Sequence, residues 1–495
     1  MEGDFMTLDP TLMAVLIVAY VAVQIGIGIW AARGVSTETD YYVGGRTLGF
    51  WSVGLSVFAT WFGAETIMSS SAEIAANGLA GGRAEPFGYA ICLVAMALFI
   101  AAQFRARGYV TLADFFRERF GRRAELACVW LTIPVSIIWA AAQLAALAAL
   151  MKTALNVPPQ ATLIVAALII MAYTTLGGLL GDVATDMAQS VVLVVGLLVA
   201  LVALMARLGG VENFFGAIEP GQLSLLGEGE HWLARADAWA VPILGSLVTQ
   251  EAISRFLSAK SPQVARTACF GAAGLYLALG MVPVLIGLAG VHVGAPGAEG
   301  DDFMPALMRE IAHPVVYIFF AGALLSAILS TTNSNVLSVS SLVAVNLFAK
   351  FHERASERTK LFTARAMTIG ATFIAYLIAA GGASIRELIT LTSILGQAAL
   401  LIAVLIGLRS KFGSENAVLA SVVACILANV ATLAVWPMQQ MLGEGMSVGA
   451  AIAQLVAGEA PTPDGSFLIS VAVAILAYVA VGYLERRAPA AQPAK

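Results

Sequence analysis

Charge is what this chain has least of. Asp, Glu, Lys and Arg make up 12% of its 495 residues, against about 25% in soluble domains. Hydrophobic residues make up 59%, and mean hydropathy is +0.86. A soluble fold of that composition would expose more apolar surface than a monomer tolerates. The shortage of charge therefore excludes a soluble domain and points to a polytopic membrane protein. Cysteine is almost as scarce. Cys92, Cys128, Cys269 and Cys425 stand singly in apolar runs, which reads as core packing rather than a disulfide framework. Four histidines, His231, His292, His313 and His352, fall in or beside loops without ligand spacing, so no structural metal cluster is expected. The stretch "MEGDFMTLDP" lacks Lys and Arg, whereas a secretory signal needs a basic start and a cleavage site. The first apolar run reads as a retained helix. No kinase, nucleotide or DNA module stands out, and "GRAEPFG" lacks phosphate-cradling spacing.

Long hydrophobic runs are abundant. A bilayer core of ~30 Å takes about 20 residues as helix. Thirteen runs qualify: 10–32, 49–78, 86–104, 124–154, 158–178, 181–206, 236–258, 265–291, 314–348, 361–381, 385–408, 415–437 and 465–485. "TLADFFRER" and "DDFMPALMREI" read as short amphipathic helices between spans. With the N-terminus outside, only Arg83, Lys152, Arg207, Arg235, Arg309 and Arg386 lie outside, and the other 21 of 27 basic residues lie inside. That asymmetry predicts a cytoplasmic C-terminus.

Polar residues within these spans must be satisfied, and they mark pathways or helix contacts. They gather in three places. "ATWFGAET" (59–66) interrupts the second span with Trp61, Gly63 and Glu65, which reads as a discontinuous helix with carbonyls free for a cation. "GALLSAILSTTNSNVLSVSS" crowds hydroxyls onto the ninth span, with Ala327, Ser330, Thr331 and Ser334 on one helical face. Hard oxygens of this kind suit Na⁺, although several are expected to bond back to i−4 carbonyls. "YTTLGGLLGDVATDMAQS" places Asp182, Asp186 and Gln189 at a turn near the inner surface. Asp182 reads as a helix N-cap and Asp186 as a residue on the ion's path. In the seventh span, "GSLVTQEAISR" carries Gln250, with Glu251 and Arg255 at ion-pair spacing.

"YYVGGRTLGFWSVGLSVFAT", "YTTLGGLLGDVATDMAQS" and "SAILSTTNSNVLSVSS" resemble the sodium/solute symporter family over nearly the whole chain. "ATWFGAE", "RGYVTLADFFRERFG" and "IIWAAAQ" are most similar to its high-affinity choline transporter branch. The resemblance implies an all-α LeuT-like five-plus-five inverted repeat. One repeat would occupy 49–206 and the other 236–408, with an extra helix at 10–32 and two more within 415–485, all in one transmembrane domain spanning 1–495. It further implies a sodium site formed by carbonyls of Ala59, Phe62 and Ala327 and hydroxyls of Ser330 and Thr331, with Asp186 taking part in coupling. Two departures stand out. Asn333 occupies a position that is often acidic, and Thr249 replaces a cage aromatic.

A quaternary ammonium is held by aromatic faces. The branch's cage residues fall on Trp61 and Trp139, with Tyr89 as a third wall. Gln143 lies one turn beyond Trp139, and Thr249 and Gln250 complete the candidate solute-binding set. Glu65 stands where the branch tends to have glycine. A bare carboxylate there costs at least about 2.5–3.5 kcal/mol. It reads either as the partner of a cationic amine or as a structural carboxylate bonded to ninth-span hydroxyls. The resulting expectation is a Na⁺-coupled importer in the inner or plasma membrane, with a choline-like or other amine as solute. An amino acid or carboxylate solute and a non-transporting sensor are the alternatives. No enzyme chemistry and no nucleic-acid partner are expected, and the sequence leaves the oligomeric state open.

Overall fold

The computed structural model describes residues 10–487, apart from 156–157, 228, 298, 349–353, 383–384, 386–387, 389–391, 393–396 and 457–459. The described residues are helical, and the one β-bridge among them joins Leu48 to Ala259. Eight of their helices are long and apolar enough to cross a membrane alone, and four shorter apolar helices accompany them. Large apolar side chains such as Trp51, Leu168, Val202, Phe362 and Leu476 are exposed on the outside, as a lipid-facing surface requires.

The first span is α1 (Pro10–Ala32). The second is discontinuous, as its polar interruption predicts. Helix α2 (Phe50–Trp61) ends where Phe62 turns to φ −85°, ψ 74°. The chain then resumes as a π-helical turn (Glu65–Ser69) and α3 (Ser70–Asn77). Gly63 lies at this break, with the Glu65 carboxylate packed against the place a Cβ would take. A wide turn at 83–88 leads into α4 (Tyr89–Phe99). The amphipathic "TLADFFRER" forms α5 (Leu112–Arg119), whose start is fixed by a capping box between Thr111 and Asp114. The fourth span is α6 (Arg122–Leu155).

Helix α7 (Pro159–Arg207) carries both the fifth and the sixth spans, bent apart at Gly178 (φ 52°, ψ −150°). Only glycine suits that backbone, and a Cβ would also strike the Tyr41 backbone. A second broken span consists of α8 (Trp232–Gly245) and α9 (Gln250–Ser258), separated by a non-helical segment at 246–249. There follow α10 (Pro262–Gly290), the short α11 (Phe303–Ile311) and the hydroxyl-rich α12 (Pro314–Ser341). The longer helices that follow are α13 (Glu357–Ala380), α14 (Gln397–Arg409), α15 (Glu415–Val430) and α16 (Ser466–Arg487). The first half of the span expected over 385–408 falls mostly outside the described residues.

Helix α12 packs along α7 and α6, and α2 lies against α7, α10 and α12. Every residue of α12 from Ala323 to Ser341 is buried. The breaks in both discontinuous spans face the interior, and the polar residues meet there.

Candidate functional site

Three of the α12 hydroxyls do what isolated helical Ser and Thr do. Ser326, Thr332 and Ser338 donate to the carbonyls of Gly322, Ile328 and Ser334. Others reach across to neighbouring helices. Ser330 Oγ donates to Asp186 Oδ1 at 2.5 Å, and Ser56 Oγ on α2 donates to Asp186 Oδ2 at 2.5 Å. One carboxylate on α7 thus joins α2 to α12. Asp182, one turn earlier, accepts from Asn333 Nδ2, from Ser334 Oγ at 3.2 Å and from the Arg255 guanidinium. Arg255 also lies 3.8 Å from Asp186 Oδ2 and donates to Ser56 and Ser334. Thr174 donates to Asn333 Oδ1 and completes the group. All these side chains are buried.

This network corrects two sequence expectations. Arg255 does not form its ion pair with Glu251 along the helix; its one hydrogen bond there is to the Glu251 backbone oxygen at 3.2 Å. A buried guanidinium is held where desolvated carboxylates can surround it, and α7 supplies two. Asp182 is not an N-cap: four residues beyond the break at Gly178, its carboxylate is engaged by Arg255, Asn333 and Ser334. With Asp182 and Asp186 against Arg255 alone, the group carries one formal negative charge in excess.

The expected sodium ligands lie beside this network. The bond from Phe62 N to Phe58 O at 2.9 Å closes α2. The carbonyls of Ala59 and Phe62 therefore stand at a helix C-terminus, where backbone oxygens lack helical donors. Thr60 Oγ1 lies 3.2 Å from Ser334 Oγ, which brings this end of α2 against α12. Ala59, Phe62, Ala327, Ser330 and Thr331 are all buried. Thr331 Oγ1 makes no hydrogen bond at all. An orphaned buried hydroxyl costs about 1–3 kcal/mol, so an oxygen-seeking ligand fits there.

Above the break lies a cavity of about 100 Å³. Trp61, Glu65, Tyr89, Trp139 and Thr249 line it. Trp61 and Tyr89 meet edge to face, with ring centroids 5.5 Å apart. Glu65 Oε1 accepts from Trp139 Nε1 at 3.2 Å, and Glu65 Oε2 accepts from Gln143 Nε2 at 2.5 Å. Its partners thus come from α6 and not from the ninth-span hydroxyls. Gln143 also accepts from the backbone N of Ala64 at 3.0 Å. It clamps the broken turn and orients Glu65 without lining the cavity. Gln250 lies outside the cavity altogether: its Oε1 accepts from Leu112 N at 2.7 Å and its Nε2 donates to Ser254 at 2.9 Å.

Two further carboxylates, Glu85 and Glu251, line the same cavity. Glu85 accepts from Tyr276 Oη, which lies 2.9 Å from Thr66 Oγ1. The sequence reading missed Glu85 because an acid between Arg83 and Pro86 looks like a loop residue. Its signal was its place at the mouth of a span, before the "PFGY" that supplies Tyr89.

Known proteins resemble the chain over most of its length. The human high affinity choline transporter 1 is 29% identical over 377 residues, which cover 71% of this chain and 64% of the relative. The chain therefore matches just under two thirds of that relative's length. The sodium/glucose cotransporter of Vibrio parahaemolyticus is 26% identical over 407 residues, 73% of each chain. Among solved structures, a Na⁺-coupled sialic acid symporter in a substrate-bound outward-open state superposes with a TM-score of 0.78 at 18% identity, covering 97% of this chain and 99% of the other. MhsT in complex with L-phenylalanine superposes with a TM-score of 0.52 at 14% identity, covering 88% and 97%. These likenesses establish the LeuT-like helical fold. The sodium:solute symporter family matches residues 41–424, and the chain belongs to that family.

Proposed function

We propose that the protein is a sodium-coupled symporter that imports a small organic amine by alternating access. The observation that carries this reading is Thr331 Oγ1, buried and unbonded beside the open end of α2. The carbonyls of Ala59, Phe62 and Ala327 and the hydroxyls of Ser330 and Thr331 would hold Na⁺ there. Ser330 donates its hydroxyl hydrogen bond to Asp186, which leaves its oxygen lone pairs for the cation. One Na⁺ balances the single excess charge of the network of Asp182, Asp186 and Arg255. Sodium would tie the break in α2 to α12, and its loss past Asp186 would release that tie.

The solute would occupy the cavity next to the break, against Trp61, Tyr89 and Trp139, with Glu65 as counter-charge. The acidic lining disfavours carboxylate solutes. The broken spans α2–α3 and α8–α9 would occupy matching places in two inverted repeats. The protein would lie in the cell's inner or plasma membrane with its N-terminus outside and its C-terminus inside.

The test is uptake of labelled amines into proteoliposomes under an inward Na⁺ gradient, with K⁺ replacing Na⁺ in the control. The expected result is accumulation that requires the gradient and that needs a higher Na⁺ concentration in Thr331→Val. Equal uptake in K⁺ would remove the coupling. Accumulation of amino acids or carboxylates in place of amines would remove the solute assignment.

A further inference from the structure

The cavity holds more carboxyl groups than a single counter-ion for a quaternary ammonium would need. Glu65, Glu85 and Glu251 all line it, and its described lining includes no Lys, Arg or His. Glu65 and Glu85 are 5% and 8% exposed. Each is set in position by donors behind it, Glu65 by Trp139 and Gln143 and Glu85 by Tyr276. A carboxylate fixed in this way retains lone pairs for a further donor. Thr249, 8% exposed, adds a further hydroxyl to the lining.

The entrance is also acidic. A wider vestibule of about 1100 Å³ shares Val241, Asn429 and Phe467 with the cavity. Glu73, Glu219, Asp237 and Asp464 line it. Arg83, the single basic residue in its described lining, is paired with Glu230 at 2.6 Å. A cleft lined by one sign of charge concentrates the opposite ion at its mouth.

A quaternary ammonium uses only part of this arrangement. Its charge is wrapped in methyl groups and offers no N–H, so it prefers aromatic faces on all sides. Here the aromatic walls are Trp61, Tyr89 and Trp139, and the rest of the lining offers acceptors. N–H groups of a protonated amine would form charge-assisted bonds to such carboxylates, which are about twice as strong as neutral ones. We propose that the cavity selects small aliphatic amines bearing N–H groups, which Glu65 and Glu85 accept as a pair, over their N-permethylated counterparts. This rests on the amine-symporter reading and narrows it to one chemical class. Glu85 becomes a specificity-determining residue that the family resemblance does not supply.

Thermal stability of the purified full-length protein tests it, with NaCl against KCl as background. The probes are two methylation series: ethanolamine through N,N-dimethylethanolamine to choline, and putrescine against its hexamethylated bis-quaternary form. The expected result is stabilisation by the parent amines that falls with each added methyl group and is absent for the permethylated forms. Glu85→Gln should raise the half-saturating concentration of the best parent amine about tenfold while leaving the Na⁺-induced shift in place. If E85Q does not fold, the methylation series on the unaltered protein decides. Equal or greater stabilisation by choline or the bis-quaternary form overturns the proposal, as does the absence of any shift with the N–H-bearing probes. Failure of the coupling reading would appear separately, as a stability that is the same in NaCl and KCl.

Discussion

Trp139 Nε1 donates a hydrogen bond to Glu65 Oε1 at 3.2 Å, from the middle of α6 to the break in the second span. The indole lines the cavity and uses its N–H to hold the acid beside it. Trp139→Phe keeps an aromatic ring and removes the donor. A hydrogen bond to a charged group is worth about 1.5–3 kcal/mol, and Gln143 continues to hold the other oxygen. The half-saturating concentration of the transported amine should rise about tenfold in Trp139→Phe and further in Glu65→Gln. Unchanged affinity and sodium dependence in both variants would remove Glu65 from the solute site.

Arg255 is the only cation bonded to Asp182 and Asp186 among the described residues. Arg255→Met leaves two desolvated carboxylates without it. Removing one partner of a buried pair costs about 3–5 kcal/mol, so the variant should unfold at markedly lower temperature. Adding Asp182→Asn to Arg255→Met removes one of the stranded charges and should recover part of that loss. A double variant no more stable than Arg255→Met would show that the pairing is not what the arginine contributes.

The interruption at "ATWFGAET" was legible because Gly63 and Glu65 are out of place in a lipid span, whatever the tertiary structure. The break in α2 and the hydroxyl face of α12 follow from that local pattern. The partners of Glu65 did not follow from it. Trp139 and Gln143 are 74 and 78 residues away in sequence, and the reading looked to the ninth span because hydroxyls were plentiful there. The Glu251–Arg255 expectation failed for the same reason. Helical spacing predicts neighbours on one helix, but a buried guanidinium goes to the carboxylates that burial brings near, and those lie on α7.

Gly178 adopts φ +52°, and a Cβ there would meet the backbone and ring of Tyr41. A non-glycine residue in a sparsely populated region costs on the order of 1–3 kcal/mol before any clash. Gly178→Ala should lower both the yield of folded protein and its midpoint temperature. Gly370→Ala, with nothing within 4 Å of the added carbon, should be tolerated. Equal behaviour of the two would refute the steric account.

In the segment between the sixth and seventh spans, Glu230 Oε2 accepts from Arg83 Nη1 at 2.6 Å, with Arg235 Nε 3.6 Å away. The hydrogen bond from Arg83 holds the Glu230 carboxyl below its ordinary value. A group depressed on folding adds stability that is present above its unfolded value, near 4.3, and is lost as pH falls through the folded value. The protein should therefore lose stability as pH drops below about 4, by a small and salt-sensitive amount, since the pair lies near the surface. Arg83→Gln should flatten this acid slope without changing stability near pH 7 by much. Melting temperatures from pH 3 to pH 7 at low and high salt would show whether the slopes differ.

Thr331 and Thr332 are adjacent, both buried, and opposite in what their hydroxyls do. Thr332 Oγ1 donates to Ile328 O at 2.6 Å, a bond internal to its own helix. Thr331 Oγ1 makes none and lies one residue from Ser330, whose hydroxyl is turned to Asp186. Valine is close in shape to threonine but lacks the oxygen, so each substitution removes one hydroxyl with little change in packing. Thr331→Val should raise the Na⁺ concentration for half-maximal stabilisation about tenfold, the loss expected for one hydroxyl bonded to a charged group, about 1.4 kcal/mol. At saturating Na⁺, amine affinity should be close to that of the unaltered protein, because the hydroxyl belongs to the ion site and not to the cavity. Thr332→Val should leave the Na⁺ titration where it was. A shift of equal size in both variants would mean that the effect comes from the helix as a whole, and the sodium assignment of Thr331 would fall.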